Sequence, residues 1–199
     1  MSEKIGEGER GPKLVAKEKV KCPVCGSGDL EITLYAYRVP FFGDVILETG
    51  KCSKCGYRWS DVGVVSAGRP KRIVVEVSRP KDLNALVIKS ARASIRVPEL
   101  GIEVTPGPAA KGYITTVEGV LQRVLDHVPS ECFKRESSCY GRVKEIEDAI
   151  KGLKRFRLII EDPTGKSAVR GEGVKVVEEP LKDEDARAPT KRGKDATQP

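Results

Sequence analysis

"KCPVCGSGDLEITLYAYRVPFFGDVILETGKCSKCGYRWSDV", Lys21–Val62, decides how this chain is read. Two knuckles, Cys22-x-x-Cys25 and Cys52-x-x-Cys55, stand 26 residues apart. A two-residue gap lets both sulfurs of a knuckle face one tetrahedral ion, and two knuckles complete a four-cysteine set. Gly26 and Gly56 follow the second cysteine of each knuckle. Glycine there allows positive φ and lets backbone N–H groups approach the thiolates. Four thiolates around Zn2+ leave about two negative charges, which Lys21, Lys51, Lys54 and Arg58 are placed to offset. Disulfides or free thiols are the alternative. Paired knuckles in a chain without a secretory signal favour one structural zinc, with Cys22, Cys25, Cys52 and Cys55 as its ligands. No coordination position remains open for catalysis.

Between the knuckles, Leu30, Ile32, Leu34 and Ala36 alternate with Glu31, Thr33, Tyr35 and Tyr37, the pattern of a two-stranded ribbon. Pro40 breaks the first strand and Gly43 permits the return, which places Phe41 and Phe42 at the turn. These rings either anchor the ribbon on the rest of the chain or offer an apolar contact to a partner.

Working outward, the 199 residues allow one ordinary domain plus a small module and tails. Charged residues make up 33% and aromatics 5%, so the surface is densely charged and each ring is worth locating. The formal charge of +7 is spread among 29 acidic residues, which reads as a mixed-sign surface more than a nucleic-acid footprint. Amides are few (Asn84, Gln122, Gln198) beside abundant Lys, Arg and Glu, the composition expected of a hyperthermophile. No run approaches the roughly 20 apolar residues of a membrane span, and the N-terminus lacks a secretory apolar core; a cytoplasmic protein is expected.

Residues 1–19 are polar without periodicity and are expected to form a flexible arm ahead of the ribbon at 20–65. From Lys71 the apolar period is near two in "RIVVEVS", "NALVIKS", "ASIRV" and "GIEVTPG", punctuated by Pro80, Pro98, Pro106 and Gly107. Such strands suggest a compact β-sandwich or a β-helix-like barrel over 66–171. The period then changes. Thr115 or Thr116 can cap a helix bearing Val117, Val120, Leu121, Val124, Leu125 and Val128, which Pro129 closes. A second helix carries Val143, Ile146, Ile150 and Leu153 on one face, giving a helical hairpin at about 115–154. Residues 172–199 are charged, Pro-containing and without aromatics, and a disordered tail is expected.

Several signals are set aside. Gly165-Lys166-Ser167 is no phosphate loop, because the motif requires glycine where Ile160 stands. His127 is the only histidine, too few for a two-histidine iron site. Asp61, Asp82, Glu99 and Glu103 show no spacing of an acid–base pair, so no enzyme is expected. Cys132 and Cys139, in "SECFKRESSCY", either form a disulfide or stay reduced, the disulfide being favoured.

The quoted stretch strongly resembles the ZPR-one zinc-finger family. Val39-Pro40-Phe41-Phe42, Val45-Ile46, Cys55-Gly56-Tyr57-Arg58 and Val62 follow the family pattern in order, with Tyr37 where Thr is usual. "IIEDPTGKS" at Ile159–Ser167 resembles the family's Asp-Pro-x-Gly-Asn-Ser turn, with Lys166 in place of Asn. The resemblance covers roughly 20–170. It implies a mainly β fold with an α insertion: a four-cysteine zinc ribbon, then a double-stranded β-helix-like domain carrying the helical hairpin. Eukaryotic relatives hold two such modules, and this chain looks like the single-module archaeal form.

The resemblance further implies a protein-interaction module that binds a translation elongation factor, the elongation factor one-alpha type of GTPase, and assists its folding. Val39, Pro40, Phe41, Phe42, Tyr57, Arg58 and Trp59 are the partner-binding candidates. The alternative is an RNA- or ribosome-binding zinc ribbon, with Lys51, Lys54, Arg58, Arg69, Lys71 and Arg72 supplying charge and Trp59 or Tyr57 stacking on a base.

Overall fold

In the computed structural model, residues 11–65 and 68–181 are described. The ribbon is a four-stranded antiparallel sheet in sequential order: β1 (Lys13–Val20), β2 (Leu30–Val39), β3 (Gly43–Cys52) and β4 (Arg58–Val64). β2 and β3 form a ten-pair ladder from Leu30↔Cys52 to Val39↔Gly43, so the metal end and the aromatic turn lie at opposite ends of one hairpin. β1 corrects the expectation of a flexible arm through residue 19. Lys13–Val20 pairs with β2, although Lys13–Lys19 are all exposed. An exposed edge strand held by backbone bonds buries little, so it leaves no hydrophobic period to detect. The rest of that expectation, residues 1–10, lies outside the described residues.

The second unit begins with β5 (Lys71–Val77), β6 (Leu86–Lys89), β7 (Ser94–Val97), β8 (Ile102–Val104) and β9 (Tyr113–Thr116). After the helices come β10 (Phe156–Asp162), β11 (Ala168–Arg170) and β12 (Lys175–Pro180). Two sheets result, ordered β12-β5-β10-β7-β8 and β11-β6-β9, the layered arrangement of a jelly roll. Alternation decides the core: Ile73, Val75 and Val77 on β5 face Phe156, Leu158 and Ile160 on β10, all buried. β12 corrects the expected disordered tail for its described part. It pairs with β5, Val176 packs against the core, and Lys71 bonds Glu178 at 3.1 Å. Residues 182–199 lie outside the described residues.

Between β9 and β10 runs the helical hairpin, α1 (Val117–Leu125) and α2 (Tyr140–Ile150). Thr116 caps α1, its hydroxyl accepting from the Gly119 N–H at 3.0 Å. Val117, Val120 and Leu121 from α1 and Val143, Ile146 and Ala149 from α2 are buried in the jelly-roll core. Leu153 departs from the periodic reading. α2 ends at Ile150, Gly152 takes φ +75°, and Leu153 is turned out to 72% exposure. Cys132 and Cys139, flanking the hairpin's linker, are joined as a disulfide.

The ribbon is docked on the jelly roll along its β4 edge. The Gly112 N–H donates to the Ser60 carbonyl at 3.2 Å and the Val64 N–H to the Lys166 carbonyl at 3.0 Å. An apolar seam joins Val39, Val45 and Val62 of the ribbon to Ile88 of β6, with Phe42 and Ile114 packed against it.

Candidate metal centre and the ribbon it organises

The knuckles place four sulfurs within 4.8 Å of one another. Cys22 and Cys55 sulfurs are 3.7 Å apart, as are those of Cys25 and Cys52. A tetrahedral zinc with Zn–S near 2.3 Å sets its sulfurs about 3.8 Å apart. The residues fit the ion. The same two loops recur at both corners: the Gly26 N–H reaches the Cys22 carbonyl and the Gly56 N–H the Cys52 carbonyl, with φ near +71° and +73°. Cys22 and Cys52 are buried on Leu30, with Val20, Ile32 and Tyr57 around them.

Left as thiols, the four sulfurs compete for charge. Hydrogen bonds from the Ser27 side chain and backbone pull Cys25 down to about 6. For Cys55 a backbone bond at Tyr57 favours the thiolate, yet desolvation and the neighbouring sulfurs outweigh it and push the group up to about 12. Only a cation lets all four ionise together, and the set holds one structural zinc with no position left for a substrate.

At the far end, the Phe42 N–H donates to the Val39 carbonyl at 3.2 Å across Pro40 and Phe41. Phe41 takes φ +68°, alone among described non-glycine residues, in a place a type II turn reserves for glycine. The pair of rings divides. Phe42 packs inward on the seam with Ile88, whereas Phe41 is 70% exposed. Val39 is buried, and Pro40 is exposed. Among the predicted contact residues, Val39 and Phe42 therefore anchor the turn, and Pro40 and Phe41 form its outer surface.

The three candidates at the metal end divide as well. Tyr57 packs on the zinc cluster. Arg58 is exposed. Trp59 pairs with Gly50, and its indole lies where a Cβ at residue 50 would fall, 2.1 Å from Nε1. Trp59 lines one cleft together with Lys51 and Arg58.

A buried polar junction escaped the sequence reading. Asp162, fully buried, accepts from Thr164 N–H (2.8 Å), Thr164 Oγ1 (2.7 Å), Ser167 N–H (2.6 Å) and Ser167 Oγ (2.5 Å). Burial alone would raise its pKa, but these bonds outweigh it and hold the carboxylate below its usual range. Buried Lys89 donates to the Ser90 carbonyl at 3.0 Å; burial lowers its pKa, partly offset by Asp162 and Asp61. Asp61 of β4 accepts from the Ala91 N–H at 2.6 Å, and Lys166 bridges Glu48 (2.6 Å) and Asp61 (3.3 Å). The signal for Lys166 was its departure from the family's Asn; for Asp61, Lys89 and Asp162 no spacing announced the cluster.

A zinc-finger model described as the ZPR1 zinc-finger domain matches residues 15–69, and one described as the ZPR1 jelly-roll domain matches residues 81–187. The chain belongs to the ZPR1 family. An uncharacterized ZPR1-like protein of Methanocaldococcus jannaschii is 38% identical over 177 residues, covering 84% of this chain and 87% of the relative. One from Pyrococcus horikoshii is 36% identical, covering 86% and 81%. The zinc finger chaperone of Schizosaccharomyces pombe is 30% identical over 80% of this chain, which spans 37% of that longer protein. Among the relatives named for a role, the names are zinc finger chaperone and zinc finger protein, not that of an enzyme. Both archaeal members match this single-module length, and β5, between the two matched spans, is nonetheless a central jelly-roll strand. No described helix is long and apolar enough to cross a membrane.

Proposed function

We propose that this ZPR1-family chain is a cytoplasmic, non-catalytic protein-binding module whose partner is a translation GTPase of the elongation factor one-alpha type, engaged while that factor folds. The observation that carries this reading is Phe41. A bulky ring held at positive φ costs on the order of 1 kcal/mol, and here it is spent to display the ring to solvent. The Phe42 seam and the Phe42-to-Val39 backbone bond hold the turn, so the displayed ring arrives at a partner with little further ordering, as an aromatic anchor should. The chaperone name of the fission-yeast relative supports a protein partner.

RNA or ribosome binding is the competing reading. It draws on Lys51, Lys54 and Arg58 with Trp59 beside Lys51 and Arg58, but Tyr57 is committed to the zinc cluster. Calorimetric titration of the zinc-loaded chain against a purified elongation factor GTPase separates the two. Phe41→Ser should weaken binding at least tenfold while zinc content stays at one per chain. Equal affinity of wild type and Phe41→Ser would remove the tip from the contact, and no binding by wild type would remove this partner.

A further inference from the structure

At the zinc end of the ribbon two cross-strand rows lie side by side. One row is Thr33↔Thr49↔Ser60 and the next Glu31↔Lys51↔Arg58. Lys111 closes the side from the jelly roll, brought there by the Gly112 N–H bond to the Ser60 carbonyl. Together they line an open cleft of about 410 Å³, within the size range of small-ligand sites.

Several cations elsewhere are paired across strands, as in Arg72–Glu161–Arg96 and Lys175–Glu76. Here Lys51, Arg58 and Lys111 make no ion pair and no side-chain hydrogen bond among the described residues, nor do the hydroxyls of Thr33, Thr49 and Ser60. The one carboxylate, Glu31, is already taken by Lys17 at 3.0 Å. Three cations and three hydroxyl donors converge with no acceptor of their own. Zinc-thiolate compensation accounts for Lys51 and Arg58 but not for Lys111, which arrives from the other unit.

We propose that this cleft is a binding site for a phosphoryl group, as free phosphate or as the phosphate of a small nucleoside phosphate. A carboxylate would be satisfied by Arg58 alone, whereas a phosphoryl group offers enough oxygens and charge to engage a fork, two ammonium groups and a hydroxyl row together. Gly50 and Trp59 complete the lining, and the clustered cations and hydroxyls make the phosphate the group it recognises. The site lies eight residues along β2 from Phe41, roughly 25 Å at strand rise, and so is separate from the tip.

Zinc-loaded full-length chain is titrated calorimetrically with inorganic phosphate, a nucleoside monophosphate, citrate and single-stranded RNA. Saturable one-to-one binding of phosphate or the monophosphate is expected, weakened at least about tenfold by Arg58→Ala and by Lys111→Ala, the loss of one charged hydrogen bond each. In Lys111→Ala, which lies outside the zinc ribbon, zinc content and melting temperature should not move, since the residue is exposed. A tighter monophosphate assigns a nucleotide ligand, and equal affinities assign the phosphoryl group alone. The proposal is overturned by no saturable phosphate binding, by citrate binding equally well, by affinities unchanged in both variants, or by binding confined to RNA.

Discussion

The zinc ribbon and the jelly roll are both antiparallel β-structures, yet different forces hold them. Ile73, Val75, Leu158, Ile160 and Leu121 are wholly buried between jelly-roll sheets and helices, a core that stabilises itself by removing apolar area from water. At its metal end the ribbon buries only Cys22, Leu30 and Cys52. So small a cluster cannot offset the entropy of ordering a long hairpin, and the metal supplies what the core lacks. The difference teaches where each unit is vulnerable: the ribbon to loss of an ion, the jelly roll to loss of packing.

The sharpest way to break this comparison is to remove the zinc. Chelation should cost the ribbon on the order of 10 kcal/mol, so proteolysis should open sites within residues 20–65 while jelly-roll amides keep their exchange protection. A chain whose ribbon keeps its protection after chelation would show that the ribbon does not depend on the metal.

The next test strikes the polar junction between the units. Asp162→Asn should cost about 3 kcal/mol at neutral pH, because it discards a buried anion that four donors and Lys89 are arranged around. The pH dependence follows from the depressed native pKa. Its stabilisation is complete above the ordinary carboxylate value of about 4 and drains away as pH falls through the lower native one. Denaturant midpoints measured from pH 7 downward should therefore fall less steeply below about pH 4 in Asp162→Asn than in wild type. Parallel profiles would mean the carboxylate does not carry the acid sensitivity.

The smallest effect separates the two rings of the turn. Phe42→Ala removes a half-buried ring from the seam and should lower stability by about 1–2 kcal/mol. Phe41→Ser should leave it within about 0.5 kcal/mol, since the ring is exposed. Equal losses in both would place Phe41 in the core instead of on the surface.

The four zinc ligands, the hairpin between them and the helical insertion were legible in the residues, because each is a local pattern. Cysteine spacing is chelate geometry, and the 3.6-residue period of α1 is set by its own backbone. β1 and β12 were not legible, since a strand that buries little needs only a neighbour's free backbone edge. The division of Phe41 from Phe42 was equally hidden, because adjacent identical residues differ only in what the fold brings against them.

By itself, then, the sequence determined the metal set and the kinds of element, which depend on neighbours within a few residues. Tertiary structure alone decided that Lys111 meets Arg58 in one cleft and that Asp61 and Lys166 join the two units. Those juxtapositions depend on strand register and on the docking of β4, where a single-residue shift would send every side chain to the other face.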